Sequence, residues 1–221
     1  MKRILFIVLC LLSYSSYSNS IDLNIDSSYM DEDCKSDIEG CFLSGIDSVI
    51  PNKIIRSVLI YVDNYTLLSE KFSSDKVISA LKKVSKLGNL DALHLEASVY
   101  YVGNIVERDV NKSIDLLESI KYDERNSVTF NLLGKFYLYK LNTEKSEYLK
   151  NEYFKLSKDN FYRAHLLNDI DSTRALAIVM LKYGGSEDYF EAGKLLKYLS
   201  NVGDEEDAKR YEKYKSIKRR N

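Results

Sequence analysis

A single proline and nine glycines in 221 residues leave few places where the chain could turn sharply. Hairpin-rich β folds need turn residues at nearly every connection, so an all-β sandwich or barrel is excluded. Tryptophan is missing, and His94 and His165 are the only histidines. His-Glu-x-x-His, Gly-x-Ser-x-Gly and phosphate-loop glycine patterns do not occur. Neither sign of charge dominates. The 32 Lys+Arg and 33 Asp+Glu sum to −1, which gives no whole-chain attraction to nucleic acid or to an anionic membrane. What remains is 45% hydrophobic and 29% charged, long enough to bury a core and too apolar for disorder.

The first twenty residues read as an address. Met1-Lys2-Arg3 is a positive start, Ile4–Leu12 an apolar run too short for the ~20 residues of a spanning helix, and Ser13–Ser20 a small polar stretch with small-x-small cleavage sites. This is the three-part pattern of a secretory signal peptide, so a periplasmic protein is expected. Cys10 follows Leu9 inside the apolar run and is read as filler, not as a lipid attachment site. Cleavage leaves one pair of cysteines, Cys34 and Cys41, and an exported chain with an even pair is expected to join them as a disulfide. Residues 21–52 are read as an N-terminal arm carrying that staple. Asp22, Asn24, Asp26 and Asp33 fall at calcium-loop spacings, but Ser27 replaces the required glycine and no helix precedes them, so the reading is a polar arm.

From residue 53 to 221 the apolar residues recur at three- and four-residue steps. Val77, Leu81, Val84 and Leu87 line one helix starting near Ser74. Leu93, Ala97, Tyr100 and Tyr101 mark the next, and Ile114, Leu117 and Ile120 another after Asp109. Further helices are drawn near 126–139, 144–167, 172–183, 187–201 and 204–218, with the 144–167 segment open to a break at Asp159-Asn160. Short polar connections make neighbours antiparallel, giving an all-α fold of stacked helix hairpins. Tyr183-Gly184-Gly185-Ser186 reads as helix stop, turn and Ser186 cap. The acidic start (Glu205, Glu206, Asp207) and basic end of the last helix complement its dipole, as a polar terminal cap would.

Internal similarity appears at wider spacing. Gly88-Asn89 and Gly203-Asp204 each close one helix ahead of another, 115 residues apart, room for three units of about 38 residues. The segment Gly88-Asn89, Ala92, Ala97, Tyr100, Gly103, Val106, Asp109, Lys112-Ser113 resembles the Sel-one-like repeat, a relative of the tetratricopeptide repeat, apart from Glu96, Ala97 and Ile105. A second unit keeps Leu133-Gly134-x-x-Tyr137 and a third keeps Ala175, Tyr183 and Ala192, so the resemblance spans about 74–211. Its physics stands without the family name. A small residue at 97 or 134 lets helices approach closely, Tyr100 and Tyr137 fill the adjoining groove, Gly103 ends a helix, and Asp109 caps the next.

The resemblance implies a short right-handed α-solenoid that binds another protein, as an adaptor or as an immunity protein neutralising a toxic effector. It implies first helices lining a concave side, with Tyr101 and Tyr139 as candidate anchors and His94 at the rim. Tyr148, Tyr153 and Tyr162 are further tyrosines not needed by the repeat. No cofactor, metal, nucleic-acid partner or catalytic group is expected. The basic run at 213–220 is read as a solvated helix end and the one place for membrane contact. The alternative is a hydrolase or binding protein of the cell wall, which would need a carboxylate or nucleophile pair that the sequence does not single out.

Overall fold

The computed structural model describes residues 32–218, and every regular element among them is helical. They divide into two compact units at Glu124/Arg125. The first holds α1 (Glu32–Ser36), α2 (Ile38–Ile46), α3 (Pro51–Asp63), α4 (Tyr65–Leu68), α5 (Ser74–Ser85), α6 (Leu90–Val102) and α7 (Val110–Glu118). The second holds α8 (Ser127–Thr143), α9 (Glu147–Leu166), α10 (Ile170–Tyr183), α11 (Ser186–Val202) and α12 (Glu205–Lys218). The candidate signal peptide and the calcium-like spacing at 22–26 lie outside the described residues.

No boundary falls at residue 52. Pro51 occupies the first turn of α3, where its missing N–H costs nothing, and α2 packs directly on that helix. A Cβ on Gly45 would strike the Lys53 carbonyl and the Ser57 hydroxyl, so glycine is what lets the two backbones meet. Phe42 is fully buried, its ring 5.6 Å from Tyr61 and 4.7 Å from Phe72. The Cys34–Cys41 disulfide is formed and ties α1 to α2. From Cys34 onward the expected arm is thus part of the helical core. The sequence does not show this, because α2 is short and its few apolar residues have no long period.

Helices α3, α5, α6 and α7 then pack in succession as hairpins. The starts of α5, α6 and α7 are capped: Ser73 accepts from Lys76 N, Asn89 from Ala92 N and Asp109 from Lys112 N. Gly88 and Gly103 sit at φ +78 and +74, the left-handed region that favours glycine.

The second unit repeats the scheme, with α8 to α12 packing consecutively. Helix α9 is unbroken: Asn160 donates to the Leu156 carbonyl and Asp159 pairs with Arg163 on the same helix. Helix α11 begins one residue earlier than expected, with Gly185 as cap and its N–H donating to the Asp188 carboxylate. Gly203 has an ordinary φ of −91, unlike Gly88; a side chain there would collide with Asp207 and the Leu199 carbonyl.

The caps set a common register. Three residues after Asn89, Asn126 and Asp169 stand Ala92, Thr129 and Ser172, all fully buried. Eight residues after them stand Ala97, Gly134 and Ala177, all small and buried. Eleven residues after them stand Tyr100, Tyr137 and Met180, all in the core. Met180, not Tyr183, therefore holds the third tyrosine place, and Tyr183 reaches out to the Asn142 side chain.

Polar rungs link alternate helices of the second unit. Asn131 donates to Ser172 Oγ at 2.5 Å and to Asp169 Oδ1 at 3.4 Å, joining α8 to α10. Arg174 donates to Asp207 Oδ2 at 2.8 Å, joining α10 to α12. Side chains also link α9 to α11, where His165 meets Tyr198 and Lys158 bridges to Asp188.

Candidate functional site

Tyr101 is half-buried in the first unit, with the Arg108 guanidinium 5.9 Å over its ring. Tyr139 is half-buried on α8 of the second unit. Neither projects as a large exposed ring. His94 is not at a rim at all: its exposure is 2%. Burial pushes its pKa down to about 4, only partly opposed by Asp91. It stands five residues after its cap, the place that Asn131 and Arg174 take in the second unit, and so belongs to the interior.

The exposed aromatic surface lies instead on α9 and α11 of the second unit. Tyr162 and Leu166 share one face of α9 at a four-residue step, and Tyr198 and Val202 share one face of α11 at the same step. All four are exposed, at 49%, 60%, 40% and 52%. His165 stands between the helices, its ring centroid 6.2 Å from Tyr162 and 6.0 Å from Tyr198. The histidine is held rigidly. Its Nδ1 lies 2.8 Å from Thr173 Oγ1, whose hydroxyl donates to the Asp169 carbonyl at 2.8 Å. That hydroxyl proton is committed, so Nδ1 carries the ring proton and donates, leaving Nε2 as an acceptor. Burial lowers the His165 pKa, so the imidazole is neutral at pH 7.

Paired charges border this face. Lys158 bridges to Asp188 at 2.9 Å and lies 5.2 Å over Phe154, and Lys194 lies 4.9 Å over the exposed Phe190. An apolar, aromatic centre with a charged border is the composition of a protein interface. Tyr162 stands out in the sequence as a tyrosine the repeat does not use, whereas Tyr198, on a second helix, does not stand out. The pairs Tyr162/Leu166 and Tyr198/Val202, apolar steps on faces the hairpin core does not use, were the signal that could have found them.

A second cluster lies in the first unit. The Tyr100 ring is met by Lys112 from α7, with Nζ 3.9 Å from its centroid, and by Lys82 from α5 at 5.7 Å. Burial alone would raise the phenol, but the two ammonium groups outweigh it and hold its pKa below the usual value. Lys82 is raised in turn, chiefly by Tyr100. Beside them the buried Glu96 carboxylate accepts from Ser85 Oγ at 2.5 Å.

Among the described residues no group of three His, Cys, Asp or Glu is placed to hold a metal ion, and no helix is long and apolar enough to cross a membrane. Searches against protein-family models, curated proteins and solved structures return no match. The class that fold and site define is an all-helical scaffold of consecutive hairpins with an exposed aromatic face.

Proposed function

We propose that this is an exported, non-catalytic helical-repeat protein of the Sel-one-like type that binds another protein in the periplasm, as an adaptor or as an immunity protein against a toxic effector. The observation that carries the reading is the His165-centred aromatic face, which spans two helices and is covered by neither. Tyrosine suits such a role because it contributes much contact area and loses little side-chain entropy on binding. Export is supported by the three-part N-terminus and by a disulfide suited to an oxidising compartment. The Sel-one-like reading is supported by the shared cap, small-residue and aromatic register of α6, α8 and α10.

The test is capture from periplasm with the full mature chain, followed by mass spectrometry. A partner retained by wild type and lost from Tyr162→Ala/Tyr198→Ala, with the melting temperature held, is the expected outcome. Cleavage of wall fragments by the purified protein, with no partner captured, would contradict it.

A further inference from the structure

We propose that Cys34–Cys41 is an exchangeable disulfide, opened by a dithiol that attacks Cys41 while Arg56 stabilises the charge leaving on Cys34. Three helices bring the parts together. Cys34 comes from α1, Cys41 from α2 and Arg56 from α3, and Arg56 Nη2 lies 2.7 Å from Cys34 Sγ. A disulfide sulfur is a weak acceptor, so this contact does little for the oxidised protein. A thiolate is a much better one, because its bond to a guanidinium is charge-assisted. The interaction therefore strengthens as the S–S bond breaks, which is the condition for lowering the barrier. Arginine suits the place, since it stays protonated whatever the sulfur does.

The two sulfurs are not equivalent. Cys34 is fully buried against the cation, whereas Cys41 is partly exposed at the start of α2. An incoming thiolate therefore reaches Cys41 Sγ and forms a mixed disulfide there. The Cys34–Cys41 bond breaks, and its electron pair leaves on Cys34 Sγ beside Arg56. Stabilised thiolates leave faster, so burial and charge favour the same direction of attack. The second thiol of the dithiol then displaces Cys41 and closes the reagent's own disulfide. Two electrons pass from the dithiol to the cysteines, and its two protons to the cysteines or to solvent. Opening frees α1 from α2, while Phe42 keeps α2 on α3 through Tyr61. The centre lies in the first unit and uses none of the aromatic face of the second, so it stands or falls separately from partner docking.

The experiment is reduction of the full mature chain by dithiothreitol without denaturant, quenched with iodoacetamide and read by intact mass. Arg56→Met and Arg56→Gln should each be reduced about tenfold more slowly than wild type, since each removes the cation from the leaving sulfur. Lost packing alone would uncover the disulfide and speed its reduction, so slowing separates the charge from a structural role. Lys53→Met, which removes an exposed cation from the same helix, should match wild type. Glutathione, a single thiol, should be trapped on Cys41 of wild type with Cys34 alkylated. Reduction of both Arg56 variants as fast as wild type or faster, equal slowing in Lys53→Met, or glutathione on Cys34 would overturn the proposal.

Discussion

Gly134 on α8 and Phe161 on α9 meet so closely that a Cβ on the glycine would lie 2.6 Å from the phenylalanine ring. The Ser157 hydroxyl, one turn away on α9, donates to the Gly134 carbonyl at 2.9 Å and fixes the crossing. Phe161 is fully buried and belongs to the cluster with Leu176, Val179 and Ala192 that holds α9, α10 and α11 together. Gly134→Val should therefore destabilise by ~2–4 kcal/mol through overpacking. Gly185→Ala should be near neutral, because Gly185 has an ordinary φ of −85 and nothing near its missing Cβ. Urea unfolding of the two variants checks the difference, and equal losses would contradict the crossing.

Asp207 is fully buried at the start of α12 and accepts from Arg174 Nε at 2.8 Å and from Arg210 at 2.7 Å. Its carboxylate also accepts from the Asp204 N–H, making the cap and the ion cluster one network. Asp207→Ala removes the acceptor from two cations held mostly away from water, and should cost about 2–3 kcal/mol after allowance for the partial exposure of Arg174. Loss of protection in α12 by hydrogen exchange, ahead of α8, is the accompanying sign.

The His94 pKa of about 4 makes a statement about acid. In the unfolded chain the imidazole takes up its proton near the ordinary value of about 6.5, whereas the folded chain resists until about 4. Between these values the unfolded state binds more protons, so this contribution is fully present above pH 6.5 and falls as pH drops towards 4. The total is up to ~3 kcal/mol. Urea midpoints at pH 7, 5.5 and 4.5 should fall more steeply for wild type than for His94→Gln; parallel curves would contradict a buried neutral imidazole.

Cys34 and Cys41 close a short loop around α1 and the start of α2, and Phe42 next to it fills the first unit's core. Thiol labelling of native, unreduced mature protein should modify neither cysteine. Reduction should lower stability by ~2.5 kcal/mol in the chain-entropy account.

Local chemistry was the legible part of this fold. Asn89 ahead of Ala92, Asp109 ahead of Lys112, and Gly103 after an apolar helix all act on their own neighbours, so their roles can be read along the chain. The rung from Asn131 to Ser172 could not be read this way, because it joins residues on different helices through a register that appears only once α8 and α10 are side by side. Tyr183 misled for a related reason. Matching Ala175 to Ala92 sets the third cap at Ser172, but the helix is capped three residues earlier at Asp169, so the tyrosine position falls on Met180. A lone polar side chain on a helix is commonly solvated, so the sequence alone suggests a rim for His94; here its neighbours enclose it. Tyr198 was missed because an exposed tyrosine on a second helix looks, in sequence, like any other amphipathic position.

The most direct test of a partner-binding aromatic face is site-specific photo-crosslinking in periplasm, with p-benzoylphenylalanine placed singly at 162, 198, 101 and 139. Cross-links from 162 and 198 to the same protein, and none from 101, is the predicted result. Cross-links from 101 or 139 without any from 162 and 198 would contradict the assignment and return the docking surface to the first helices.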